Sequence, residues 1–239
     1  MSDFDRNVDT ARRFGADRAM AIDEGLRAHM IRVYNYMAVG VGLTGVVAWL
    51  TYQMWGAALA QSPLIFVFML APLALVFFIS FRIDHLSAST ARLLFFVYAA
   101  SLGLSLSVIF LAYTHTSITR VFFISAASFG ALSLWGYTTK RDLSAFGAFL
   151  MMGLLGIIIA SIVNLFLGSN QLSWIISVSG VLVFAGLTAW DTQKIKEMYS
   201  PMDDGTVGAR KAVMGALALY LDFLNMFLML LRLFGDRRD

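Results

Sequence analysis

Apolar stretches close to the ~20 residues that cross a bilayer recur along the whole chain. They fall at roughly 30–52, 63–81, 93–113, 121–138, 144–167, 172–193 and 212–233. Hydrocarbon offers the backbone no water, so such stretches must fold as helices or as a closed barrel. A barrel would show short segments alternating apolar and polar residues, and none are present. With 59% hydrophobic and 14% charged residues, the composition lies far from that of a soluble domain. The chain therefore reads as all-α: a polytopic membrane protein, a seven-transmembrane-helix bundle. Its only prolines are Pro63, Pro72 and Pro201, its connections are short, and no internal repeat appears. Residues 29–239 form one bundle in this reading. The polar stretch 1–28, with charges from Asp3 through Arg27, lacks the apolar core of a signal peptide and reads as a retained cytoplasmic tail.

Basic residues orient the bundle. Arg12, Arg13, Arg18, Arg27 and Arg32 cluster before or at the start of the first segment. Arg82 and Arg92 flank the second loop, Lys140 and Arg141 the fourth, and Lys194, Lys196, Arg210 and Lys211 the sixth. The first and fifth loops carry no charge, so the N-terminus is expected in the cytoplasm. Seven full spans then put Arg232, Arg237 and Arg238 outside, against the rule; the alternative is a last segment that stops short or re-enters. The formal charge of +3 points to an anionic lipid surface rather than to nucleic acid. Without cysteine there are no disulfides, thiolate metal sites or thiol nucleophiles. His29, His85 and His115 lie near segment ends and show no metal-ligand spacing. No cofactor is expected.

Of fifteen acidic residues, only Asp191 and Asp222 sit inside long apolar runs. A charged side chain at a helix centre costs roughly 2.5–3.5 kcal/mol on insertion, so bystanders are rare there. Asp222 and Asn225, at i and i+3, share one face of a last segment that is otherwise apolar all round. A helix of that kind belongs at the centre of a bundle. At 1.5 Å per residue Asp191 lies ~5 Å from Lys194, and Asp222 ~16 Å from Lys211. They meet only if the sixth helix continues through Glu197 or the two helices are offset; otherwise Asp191 is an interfacial residue bonded to lysine or backbone. Carboxylates that meet cannot both ionise cheaply and titrate as a unit. A shared proton would bridge them, and its loss would part them or admit a cation such as Ca²⁺, which favours carboxylate oxygens.

Arg82 closes the second segment and could reach inward as a latch on the carboxylates, or snorkel to the headgroups. Gly103 with Ser101, Ser105 and Ser107, and Gly153 with Gly156, supply small residues for close packing. The thirteen methionines fill gaps. Paired membrane aspartates also describe intramembrane aspartyl proteases. Those carry Gly-x-Gly-Asp and a downstream Pro-Ala-Leu, whereas this chain reads Leu219-Tyr220-Leu221-Asp222 with no proline after Pro201. A retinal-binding rhodopsin needs a lysine inside a helix, and all four lysines lie at loops. An enzyme is not expected.

Three stretches resemble the Bax inhibitor family, in particular its bacterial inner-membrane members. They are Ser133-Leu-Trp-Gly-Tyr-Thr-Thr-Lys140-Arg-Asp-Leu-Ser144, Asp191-Thr-Gln-Lys-Ile-Lys196, and Gly215-Ala-Leu-Ala-Leu-Tyr-Leu-Asp222-Phe-Leu-Asn225-Met-Phe. The resemblance implies six helices around a central seventh in a bacterial cytoplasmic membrane. It also implies an aspartate pair, here Asp191 and Asp222, acting as pH sensor in a Ca²⁺ leak pathway, with a locking arginine at Arg82. Many members carry an acid in the third helix where this chain has Ser101, which cannot supply that charge. Other members look like regulators of membrane proteases or stress responses. The leading expectation is thus a pH-sensitive Ca²⁺ leak channel with Asp191 and Asp222 as gate and ion ligands and Asn225 in support. The alternative is a non-conducting regulator that binds a membrane quality-control protease through residues 1–28.

Overall fold

The structure, a computed structural model, describes residues 3–238, with side chains described from Ile22 onward apart from Ala57, Leu59, Ala60 and Leu64. Helix α1 runs Asp3–Gln61, α2 Leu64–Arg82, α3 Ala88–Leu106, α4 Ile109–Ala112, α5 His115–Thr138, α6 Ser144–Leu167, α7 Asn170–Met198 and α8 Gly205–Phe234. Among the described residues seven stretches are long and apolar enough to cross a membrane, α3 and α4 together making the third. The side chains expected in the polar tail lie largely outside the described ones.

The helices overrun the apolar runs that announce them. The first connection shrinks to Ser62 and Pro63 and the fifth to Gly168 and Ser169, because polar residues such as Gln53 do not stop a helix, whereas Pro63 and Gly168 do. Gly168, at φ +60°, ends α6 in the left-handed conformation that only glycine adopts without strain. Asn164 braces that turn, accepting from Ser169 N at 3.0 Å and donating to Ser173 Oγ at 2.8 Å. Asp204 starts α8 by accepting from Thr206 N at 2.8 Å and Val207 N at 2.7 Å.

Pro72 sits inside α2, where it removes the N–H that would bond the carbonyl of Phe68. Ser105 Oγ, from α3, donates to that carbonyl instead. A hydroxyl on a neighbouring helix thus lets a proline stay inside a membrane span. Two residues before Ser105, a Cβ on Gly103 would stand 2.8 Å from Thr44 O and from Val47 Cβ, so α1 and α3 cross in near backbone contact. The small residues expected to pack closely here do so. A Cβ on Gly153 would stand 3.2 Å from Val183 Cγ2, whereas one on Gly156 would enter open space.

Helix α8 occupies the centre. It packs against α1, α3, α5 and α7 and is the most buried span. Tyr220 is fully enclosed, its hydroxyl 2.6 Å from Thr44 Oγ1 and its ring edge-on to Phe95 and Tyr98. Phe223 packs edge-on to Phe122 and Phe129 of α5. α8 runs its full length without stopping short, which places Arg232, Arg237 and Arg238 at the end of the bundle away from the start of α1. There the chain folds back on the start of α5: Thr114 N donates to Asp236 O at 3.0 Å, and Arg120 pairs with Asp236 at 3.1 Å. Arg238 donates to Tyr52 OH at 2.8 Å.

Candidate functional site

α7 continues past Glu197 to Met198, the condition on which the two aspartates could meet. Asp191 and Asp222 line the same cavity, and their carboxyl groups are near enough to interact. Two carboxylate oxygens are both acceptors, so that contact is a bond only when one group carries a proton. Asp222 is 4% exposed, and its Oδ2 has no hydrogen-bond partner among the described residues. Asp191 is half-buried. Of the lysines just beyond it, Lys194 also acts on Asp191 through its charge, and Lys196 is engaged elsewhere. Lys194 Nζ stands 4.9 Å from the Trp190 ring centroid, and Lys196 Nζ donates to Tyr137 O at 3.0 Å.

What holds Asp191 in register is the seam between α5 and α7. A Cβ on Gly136 would collide with the carbonyl of Ala189, so the two backbones touch two residues before the aspartate. One residue after it, Thr192 Oγ1 lies 2.9 Å from Ser133 Oγ, which in turn lies 2.5 Å from Tyr34 OH on α1. Gln193 then reaches into the α5–α6 connection, accepting from Leu143 N and donating to Arg141 O, both at 2.8 Å. Within that connection, hydrogen bonds from Ser144 hold Asp142 below the usual carboxylate range. The stretches 133–144 and 191–196 are therefore one interlocked unit. Sequence reasoning noticed both but missed what joins them, because the bonds run between residues about fifty positions apart.

On the other side of the pair the packing opens. A cavity of about 1100 Å³ lies between α6, α7 and α8, with Asp191 and Asp222 at one end and Arg232 and Arg237 at the other. Asn225 lines it and donates to Leu221 O at 2.8 Å rather than to Asp222. Toward the start of α1 the route is closed: the Trp190 ring fills the space a Cβ on Gly147 would need, and a Cβ on Gly215 would stand 3.0 Å from Ile195 Cγ2. Among the described residues no three His, Asp or Glu side chains come together as a metal site. Two carboxylates fall short of the six to eight oxygens that Ca²⁺ takes, so an ion at the pair would keep much of its water.

Arg82 is exposed at the end of α2, a helix that packs chiefly against α3. Among the described contacts none joins it to either aspartate. His85 is exposed in the following turn, and His115 opens α5 beside Tyr52 and Phe110. His29 is buried in α1 against Tyr199, its Nε2 without a partner among the described residues.

The family described as inhibitor of apoptosis-promoting Bax1 matches residues 26–239. The inner membrane protein YbhL of Escherichia coli is 50% identical over 223 residues, covering 90% of this chain and 94% of its own. A protein of Rickettsia prowazekii is 49% identical over 219 residues, covering 91% and 93%. One from Caulobacter vibrioides is 42% identical over the full length of both chains. With its central α8 and seven apolar spans, the chain belongs to the Bax inhibitor family.

Proposed function

We propose that this protein is a pH-sensitive cation leak, with Ca²⁺ as its principal ion, in a bacterial cytoplasmic membrane with the N-terminus inside. The observation that carries the reading is the contact between Asp191 and Asp222 at the inner end of a cavity that opens toward the opposite face. With one shared proton the carboxyls bridge α7 and α8, and Trp190 and Ile195 keep the path shut. Loss of that proton leaves two like charges in a low-dielectric setting, where they repel strongly. They either separate, which loosens α7 from α8, or draw a cation in between them. Flux should therefore rise with pH as the pair loses its proton. No covalent chemistry is involved. The inner-membrane name of the E. coli relative and the clustering of basic residues around the start of α1 support the location and orientation.

Ca²⁺ entry into proteoliposomes, followed between about pH 5 and about pH 8, tests this, since the two carboxyls titrate as a unit. Wild type should conduct more at the higher pH. Asp222→Asn and Asp191→Asn, which leave one ionisable group, should lose the pH dependence. No flux above empty liposomes from folded protein would sink the leak. The regulator reading, with residues 1–28 as the binding element, would then stand, and deletion of that tail should abolish capture of a protease partner.

A further inference from the structure

The cavity beside the pair has the build of a lipid site. Its α6 wall, with Ile158, Ile162 and Leu165, is exposed on the bundle's outer surface, and α6 packs chiefly against α7. The space between α6 and α8 thus opens sideways, toward hydrocarbon. At its far end Arg232 and Arg237 line the wall together, and neither has an ion-pair partner among the described residues. Their neighbours are engaged, Arg120 with Asp236 and Arg238 with Tyr52. Trp174, which lines the same end from the first turns of α7, is the residue type that marks headgroup depth. From Arg232 to Asp222 is ten residues, ~15 Å of helix, about half the ~30 Å hydrocarbon thickness. The volume, about 1100 Å³, exceeds what most small ligands of roughly 300–1,000 Å³ sites need.

The geometry points to a phospholipid of the leaflet away from the N-terminus as the occupant of this cavity. Its phosphate sits on Arg232 and Arg237, and one acyl chain lies along Ile158 toward the aspartate pair. Guanidinium groups match phosphate oxygens in charge and in fork geometry, and the apolar stretch matches the chain. The site shares its cavity with the aspartate pair, but lipid binding does not require that the pair conduct ions.

The test uses the full chain, purified in detergent, with phosphatidylglycerol and a diacylglycerol of the same acyl chains as probes and native mass spectrometry as readout. Wild type should retain phosphatidylglycerol about tenfold more than the diacylglycerol, one charge-assisted contact's worth. The Arg232→Gln, Arg237→Gln double variant should lose that preference, while Arg120→Gln with Arg238→Gln, on the same face but outside the cavity, should keep it. Equal retention of the two lipids by wild type would overturn the proposal even if the variant failed to fold. So would displacement of phosphatidylglycerol by inorganic phosphate alone, which would make the site one for a free anion, or equal loss in the control variant.

Discussion

α7 presents two unlike seams. Toward α5 it is in backbone contact at Gly136 and Ala189, and each polar group there is used: Ser133 on Thr192, Gln193 on the backbone of 141 and 143, Lys196 on Tyr137. Toward α6 and α8, past Trp190, it borders a cavity in which Asp222 keeps an oxygen without a partner among the described residues. Buried polar groups are ordinarily all satisfied, and exceptions call for an explanation. The closed seam fixes where Asp191 stands. In the proposed function, the open one gives the pair room to respond when its proton leaves. A gate needs both: a rigid side to set the distance and a loose side to move.

The largest effect should come from prising the closed seam apart. Gly136→Leu drives a side chain into the Ala189 backbone and should cost about 3 kcal/mol or more, read as a collapse of thermal stability in detergent. Gly156→Leu, into open space on α6, should move the midpoint hardly at all. Equal losses at the two glycines would remove the distinction between the seams. Next, Gln193→Ala orphans the buried Leu143 N–H and should cost about 1–3 kcal/mol. Faster amide exchange over 139–144, with the exchange of α6 beyond the first turn unchanged, would be its signature.

Smaller again is Ser105→Ala, which strands the Phe68 carbonyl freed by Pro72, at about 0.6–1.7 kcal/mol. Replacing Pro72 by alanine as well restores an N–H for that carbonyl, so the double variant should lose less than the two changes summed. Strict additivity would mean the serine does not serve the proline. The smallest effect should follow Arg82→Gln, which leaves the pH profile of flux as it is, since α2 packs away from the pair. A profile flattened as in Asp222→Asn would return Arg82 to the latch role that the family resemblance implies.

The seven crossings were legible because hydrocarbon length and apolarity fix them. The central place of α8 was legible in an all-round apolar helix that carries one aspartate. The approach of Asp191 to Asp222 was legible only as a condition, because it turns on how far α7 runs past Trp190 and how α8 is offset beside it, and neither leaves a periodic trace. Gly136 and Gly147 escaped notice for a related reason: each stands alone, without the paired spacing that marked Gly153 and Gly156. Of that marked pair, one packs lightly and the other not at all. The two unengaged arginines of the cavity had registered only as an exception to the charge rule.

Because the chain has no cysteine, spin labels can be placed without background. The most direct test is a pair of distances measured between about pH 5 and about pH 8, the span of the flux experiment. One is from Ile158 on α6 to Met229 on α8, both of which line the cavity on the open side; the other is from Leu134 on α5 to Leu182 on α7, across the closed seam. The first should lengthen or broaden as pH rises and the second should not, and Asp222→Asn should abolish the change. Two distances that stay fixed, or that move together with or without Asp222, would contradict the account.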